Sequence, residues 1–147
     1  MDKKEKFLQK FESKIEKIID KHERLYFNVK NEDFLEVANH LINDLGCRLS
    51  TATGMETYHH VEVLYHFSHD ESGQYFCPRV IMPDKNNPTM NSITPLVIGA
   101  EWIEREIHDF WGVNFIGHPR LEPLMIGDHP KGAERKNQFR FKRVEHE

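Results

Sequence analysis

A charged helix closed by two stop signals, within residues 102–119, constrains the fold of this chain more than any other stretch. Apolar residues recur at helical spacing from Ile103 onward, and Gly112 follows the last of them. Farther on, Pro119 biases His118 away from helical geometry. The stretch therefore predicts one helix, a turn at the glycine and an extended exit.

The predicted helix is dense in charged residues, and two interpretations of them are open. Glu104 and His108 stand four residues apart, as do Arg105 and Asp109, so each pair can meet on one helix face. The first interpretation is a solvated face with two weak ion pairs. The second is a docking helix, whose charged face is buried against a partner while its aromatic face packs on the chain's own sheet. Tryptophan and arginine are enriched at such interfaces.

This helix and its exit resemble the signature of the respiratory-chain NADH dehydrogenase 30 kDa subunit family. The matching positions are Glu104, Arg105, Glu106, Asp109, Gly112, Phe115, Gly117, His118 and Pro119. Residues 93–96, residue 121 and residues 124–126 resemble the flanks of the same motif. Family members occur in complex I and in the related energy-converting nickel–iron hydrogenases and formate hydrogenlyases. The resemblance implies an α+β domain followed by an extended segment that lies on neighbouring subunits.

The same resemblance implies a non-catalytic hydrophilic subunit of a membrane-bound energy-converting nickel–iron hydrogenase complex. Such a subunit docks onto the large catalytic subunit, beside the small iron–sulfur subunit, and supports ferredoxin-linked hydrogen evolution coupled to ion pumping. The nickel–iron centre and the iron–sulfur clusters are expected in those partners, and no catalytic, cofactor or metal residue is expected in this chain. The expected partner interface comprises Trp102, Glu104, Arg105, Glu106, Asp109, Gly112, Phe115, Gly117, His118, Pro119, Arg135, Phe139 and Phe141.

The stretch after the motif bears on which branch of the family the chain resembles. Residues 127–139 depart from the continuation typical of complex I members, and only Arg135, Lys136 and a later aromatic residue are reminiscent of it. This departure favours the hydrogenase branch. The alternative is the equivalent subunit of a complex I-type NADH/quinone or other dehydrogenase.

The cysteines limit which cofactors this chain could hold by itself. Cys47 and Cys77 are isolated, whereas an iron–sulfur cluster usually needs four thiolates. We expect two reduced, partly buried thiols. The sequence also has no glycine-rich phosphate-binding motif.

Net charge and hydropathy indicate whether the chain is expected to bind nucleic acid or to span a membrane. A net charge of −4 gives no reason to expect nucleic acid as the main partner. No apolar run approaches the roughly 18 residues of a membrane-spanning helix, and the N-terminus lacks the apolar core of a signal peptide. We therefore expect a peripheral protein on the cytoplasmic face of the cell membrane, attached only through partner subunits.

Periodicity predicts a single α+β domain with a mixed or antiparallel sheet and helices packed on one face. Further helices are expected at residues 3–22 and 31–45, and strands at 25–29, 47–55, 58–68 and 74–82. Asn31 is the expected cap of the second helix, and Gly54 suggests a bend or bulge. The domain is expected to span residues 1–116, and an extended partner-binding arm residues 117–147.

The histidine-rich strand allows an interpretation of a different class, a small stand-alone metal-binding domain or enzyme. His60, Glu62 and His66 share one face of the predicted strand. However, His60 and His66 are separated by roughly 20 Å of extended chain, so they cannot converge on one ion without a sharp bend. An ordinary polar sheet face is the favoured interpretation.

Two further features have competing interpretations. His118 is expected to be a turn residue that binds a backbone carbonyl, with a place on a quinone or proton path as the alternative. The expected arm is basic in its last part, through Lys131, Arg135, Lys136, Arg140, Lys142 and Arg143. It could be a frayed tail. The resemblance instead favours an arm anchored in partner pockets by Phe139 and Phe141.

Overall fold

Three helices and seven strands make up the part of the chain that the computed structural model describes, residues 2–124. The helices are α1 (Lys3–Phe11), α2 (Asn31–Asn39) and α3 (Glu101–Trp111). A π-helical turn (His40–Asp44) extends α2, and a 3-10 turn (Ile98–Ala100) leads into α3. The strands are β1 (Ile15–Lys21), β2 (Arg24–Val29), β3 (Arg48–Glu56), β4 (Val61–His69), β5 (Gln74–Met82), β6 (Thr89–Asn91) and β7 (Asn114–Ile116).

Five of the strands form one mixed sheet in the order β1-β2-β5-β4-β3. Strands β2 and β5 run parallel, whereas the other neighbours are antiparallel. The parallel pair requires a crossover, which α2, β3 and β4 supply. A separate parallel pair of β6 and β7 places the exit of α3 beside the segment that precedes it. The predicted α+β architecture with a mixed sheet is confirmed.

Aromatic residues from α1 and α2 cover one face of the sheet. The ring centroid of Phe7 lies 5.2 Å from that of Phe27 on β2 and 5.1 Å from that of Phe76 on β5. The ring centroid of Phe34 lies 5.0 Å from that of Tyr65 on β4. These strand residues all point to the same face, since alternate positions of paired strands share a side. The helices therefore pack on one face, as the sequence predicted.

Gly54 brings the third helix onto that face at the edge strand β3. A Cβ on this residue would overlap Cδ1 of Trp111 and lie 2.9 Å from its Nε1 and 3.0 Å from Cγ2 of Ile107. The bulge predicted as one alternative at Gly54 is wrong, because the residue pairs in regular register with Val63 and the register shift lies earlier in the strand. A bend there stays a prediction. The glycine instead permits close approach of α3.

The predicted helix over residues 3–22 is only half correct, because it ends at Phe11 and a strand follows. Ile15 pairs with Val29 and is buried, but Ile18 and Ile19 are 47% and 57% exposed on β1. β-Branched residues suit a strand as well as a helix stripe. Pairing with β2 therefore determines that residues 15–21 form a strand and not a continuation of the helix.

The second helix reaches nearly its predicted extent, 31–45, only together with the π-helical turn that follows α2 to Asp44, and it lacks the predicted cap. Lys30 occupies the N-cap position and makes no capping bond through its side chain. Asn31 is the first helical residue, and its Oδ1 accepts the N–H of Asn91 at 2.8 Å. The asparagine thus ties the start of α2 to β6 instead of capping its own helix.

The C-terminal part of the described chain, residues 117–124, contains neither helix nor strand. The boundary expected between residues 116 and 117 stays a prediction, and most of the expected arm lies outside the described residues. None of the helices described is long and apolar enough to cross a membrane.

Candidate functional site

Helix α3 has a clear start and a clear end. It begins directly after the 3-10 turn and stops at Gly112, which adopts the left-handed conformation with φ of 68°. The N–H of Gly112 donates to the carbonyl of His108 at 2.9 Å, as in a helix end closed by glycine. The predicted helix and its glycine stop are confirmed.

The carboxylate of Glu104 is fully buried and accepts four hydrogen bonds. Its Oε1 accepts the hydroxyl of Tyr65 at 3.1 Å and the N–H of Ile93 at 2.9 Å. Its Oε2 accepts the hydroxyls of Ser92 at 2.5 Å and Thr94 at 3.0 Å. Glu104 thereby joins α3 to β4 and to the segment that precedes the helix.

Burial raises the pKa of the Glu104 carboxyl above its ordinary value of 4.5, and the four hydrogen bonds oppose this rise. Burial also raises the pKa of Tyr65 well above 10.0, and the neighbouring carboxylate adds to the rise. Tyr65 therefore remains a hydrogen-bond donor to Glu104 at any physiological pH.

The raised pKa makes the contribution of Glu104 to stability depend on pH. In the unfolded chain the group loses its proton near pH 4.5, but in the folded chain it does so at higher pH. Relative to a Glu104→Gln variant, the wild type should be most stable below pH 4.5. This advantage should fall as pH rises through the folded-state pKa, by at most about 1.4 kcal/mol per pH unit. Urea unfolding of both proteins from pH 4 to 8 measures the difference, and a constant difference would contradict the assignment.

Arg105 and Asp109 contact the backbone of residues 122–124, which belong to the segment after Gly117 that we call the exit segment. The Nε and Nη2 of Arg105 donate to the carbonyls of Glu122 at 3.0 Å and Pro123 at 2.9 Å. The Oδ2 of Asp109 accepts the N–H of Leu124 at 2.8 Å. Only 6% of Arg105 and 1% of Asp109 is exposed. The charged face of α3 is therefore covered by the chain itself.

His118 is a turn residue whose side chain is buried. Its Nε2 lies 3.0 Å from the carbonyl of Glu101, and its Nδ1 accepts the N–H of Arg120 at 3.0 Å. This fits the tautomer that carries its proton on Nε2. The predicted bond from His118 to a backbone carbonyl is confirmed. The ring also approaches Glu104, with 4.0 Å between Nε2 and Oε2.

The side chain on α3 that faces outward most is apolar. Trp102 is 67% exposed, and Ile98 in the preceding turn is 72% exposed. Beside Trp102, a groove of about 390 Å³ runs between the helix and the start of β3, lined by Glu106 and Leu124 among others. Trp111, in contrast, packs over Gly54 on the chain's own sheet.

The other expected interface residues fall into three groups. Phe115 is buried in β7 opposite Met90. Gly117 adopts a positive φ of 84° in the turn, and Pro119 is exposed. Arg135, Phe139 and Phe141 lie outside the described residues. Contact of any of these residues with a partner stays a prediction.

The histidines of the predicted polar strand face have separate partners. Nε2 of His60 lies 3.0 Å from Oε2 of Glu62, whose other oxygen lies 3.7 Å from Nε of Arg79. Nδ1 of His66 lies 3.6 Å from Sγ of Cys77. Among residues 2–124, no group of three or more potential metal-ligating side chains converges.

Both cysteines are free and buried. Burial raises the pKa of Cys47 and of Cys77 to about 11, so both remain thiols at neutral pH. The prediction of unpaired thiols is confirmed, but both are more fully buried than the partly buried thiols expected.

Sequence reasoning missed the partners of the charged helix. The strand pattern places Tyr65 only on an apolar face, although a buried tyrosine hydroxyl needs a hydrogen-bond partner. Ser92 and Thr94 flank Ile93 in the lead-in to the motif, and this spacing of hydroxyl groups was the available signal. The carbonyls of residues 122 and 123 carry no signal in the side-chain pattern.

A family model described as the respiratory-chain NADH dehydrogenase 30 kDa subunit matches residues 27–140. The C subunit of the NADH-quinone oxidoreductase from Streptomyces coelicolor is 26% identical over 132 residues, which cover 85% of this chain and 52% of that protein. Its counterpart from Roseiflexus sp. is 37% identical over 71 residues, which cover 48% of this chain and 40% of that protein. The chain spans about half the length of the curated relatives it matches.

Two solved structures share the fold. A trypsin-resistant fragment of Nqo5 matches with a TM-score of 0.67 and 26% identity, over 80% of this chain and 98% of the fragment. A chain from an archaeal membrane-bound sulfane sulfur reductase matches with a TM-score of 0.74 and 24% identity, over 91% of this chain and 81% of that one.

Proposed function

Since this chain belongs to the respiratory-chain NADH dehydrogenase 30 kDa subunit family, we propose that it is a non-catalytic subunit of a membrane-bound energy-converting nickel–iron hydrogenase complex. In this proposal the chain docks onto the large catalytic subunit, next to the small iron–sulfur subunit. It supports ferredoxin-linked hydrogen evolution coupled to ion pumping, and the nickel–iron centre and iron–sulfur clusters belong to its partners.

The exposed Trp102 carries the proposed docking role. In most helices charged side chains are exposed and large apolar ones are buried, but α3 shows the reverse. Its charged residues Glu104, Arg105 and Asp109 are buried, whereas Trp102 faces outward. Large exposed apolar side chains that lie together mark interaction surfaces, and tryptophan is prominent among residues that dominate binding energy. Trp102, with Ile98 and the adjacent groove, is therefore our candidate surface for the large subunit.

The internal contacts of the charged residues support a structural role over a catalytic one. Glu104 binds hydroxyl groups and a backbone N–H, and Arg105 binds two backbone carbonyls. His118 likewise bonds to the backbone on both ring nitrogens. Groups held in this way join segments of the fold.

The hydrogenase branch is supported by residues 127–139, which depart from the complex I continuation of the motif. The names of the curated relatives favour a second candidate, the equivalent subunit of an NADH–quinone oxidoreductase. In either case we propose peripheral attachment at the cytoplasmic face of the cell membrane through partner subunits.

A native pull-down of the full chain from solubilised membranes distinguishes these candidates. Mass spectrometry identifies the co-purifying subunits, and metal analysis measures nickel and iron in the eluate. A hydrogenase-like large subunit with nickel and iron would support the proposal. A large subunit with iron and without nickel would support the dehydrogenase. A lone chain that itself carries metal would instead favour the stand-alone metal-binding interpretation of the histidine strand.

Replacing Trp102 with serine should weaken binding of the large subunit by at least tenfold while leaving the isolated chain folded. Loss of a central interface tryptophan typically costs about 2 kcal/mol or more of binding energy, whereas an exposed substitution changes stability by about 0.5 kcal/mol or less. Quantitative co-purification and thermal unfolding of both proteins provide the measurement.

Tyr58→Ser is the matched control, since Tyr58 is an aromatic residue of similar exposure, 66%, in the loop between β3 and β4. We expect this variant to retain the large subunit. Equal retention of the large subunit by the Trp102 variant and by wild type would rule out this docking surface.

A further inference from the structure

At Glu122, Pro123 and Leu124 the exit segment bonds through its backbone to side chains of α3 and not to a strand. Beyond Gly117 the segment contains no regular secondary structure up to Leu124. Arg105 donates to the carbonyls of Glu122 and Pro123, and Asp109 accepts the N–H of Leu124. Three successive residues of the exit are thus held by two side chains one helical turn apart.

The geometry of the arginine restricts the course of the segment. A guanidinium group is planar and presents its N–H groups at fixed angles, so two carbonyls must be placed together to satisfy Nε and Nη2. Pro123 contributes as well, because a proline restricts the residue before it to extended geometry. Few backbone courses satisfy both conditions.

Because both side chains are buried, they favour the one course of the backbone in which their hydrogen bonds are made. Arg105 and Asp109 are almost completely buried, so loss of either bond would leave a poorly hydrated charged group. The exposed ion pair of Arg120 with Glu122 in the same segment differs, because its side chains are 62% and 61% exposed. Pairs exposed to this degree contribute little.

The helix that holds the exit is itself fixed. Glu104, next to Arg105 in sequence, binds Tyr65 on β4 and the hydroxyls of Ser92 and Thr94. The donor and acceptor groups that contact the exit are therefore anchored to the central sheet.

We infer that Arg105 and Asp109 form a backbone clamp, which fixes the course of Glu122–Leu124 along α3. This assigns the Arg and Asp of the signature a positioning role within the chain. It goes beyond the proposed docking function, because the clamp acts whether or not a partner is bound.

Amide hydrogen exchange of the full 147-residue chain, followed by NMR, tests the clamp. In Asp109→Ala the protection of the Leu124 amide should fall at least tenfold, because its acceptor is removed. In Arg105→Lys the charge remains but the fork is lost, and protection of the Leu124 amide should also fall severalfold. The amide of Val63, in the sheet, provides the internal reference.

Arg120→Lys is the control, since it alters an exposed arginine in the same segment, and Leu124 protection should stay unchanged. The clamp would be refuted if Leu124 protection in both clamp variants matched the wild type. It would also be refuted if that protection fell only in proportion to the protection of Val63, since Arg105 and Asp109 would then act through global stability alone. Because these measurements use the isolated chain, their outcome is independent of the pull-down.

Discussion

Replacing Glu104 with alanine is expected to destabilise the domain by about 4 kcal/mol or more. The substitution removes the acceptor of four hydrogen bonds and leaves buried donors on Tyr65, Ser92, Thr94 and the backbone of Ile93. Each unsatisfied buried donor costs about 1–3 kcal/mol, and the missing side chain leaves a cavity. A domain of this size has only about 5–15 kcal/mol of stability in total.

Urea unfolding followed by circular dichroism measures this effect, and Glu104→Gln is the matched control. A glutamine can place its oxygen toward Tyr65 and Ile93 and its amide group toward the hydroxyls of Ser92 and Thr94, which can also accept. We expect the glutamine variant to lie within about 1.5 kcal/mol of the wild type. Equal stability of the alanine and glutamine variants would show that the buried acceptor contributes little.

Replacing Gly54 with alanine is expected to cost about 1–3 kcal/mol and to displace α3 from the sheet. The added methyl group would overlap the Trp111 ring and press on Ile107, both packed between helix and strand. Gly54→Val should cost more, because two further methyl groups enter the same space. Chemical denaturation gives the stability, and tryptophan fluorescence reports the movement of Trp111.

A double-mutant cycle separates this clash from a general effect of replacing a glycine. Trp111→Leu should recover at least about 1 kcal/mol of the loss caused by Gly54→Ala, since residues in contact are energetically coupled. Gly99→Ala is the control, because a Cβ there would meet no atom within 4 Å. An alanine at Gly54 that unfolds like the Gly99 variant would contradict the close approach.

The sequence predicted those features that depend on neighbouring residues. The helix up to Gly112, the strand over 25–29 and the strand over 74–82 each follow from local periodicity and stop signals. The failure over 15–21 has a physical reason, because isoleucine spacing is compatible with two structures and the choice was made by pairing with β2.

The interior placement of the charged residues could not be read from local pattern. Tyr65 lies 39 residues from Glu104 in sequence, and Glu122 lies 17 residues from Arg105. Spacing of four residues identifies side-chain pairs on one helix, but it cannot identify partners this far apart in sequence. The two tryptophans of α3 show the same limit, because one packs over Gly54 and the other faces outward.

The parallel pairing of β2 with β5 has a consequence for how the chain is made. Residues 24–28 can complete their hydrogen bonds only after residues 75–79 are available. Contacts between such distant segments close a long loop at an entropic cost and slow folding. During synthesis the hairpin of β1 and β2 therefore emerges before β5, and the edge of β2 that will pair with β5 is still unpaired. The five-stranded sheet is completed only when β5, the last strand of the antiparallel series β3–β4–β5, leaves the ribosome.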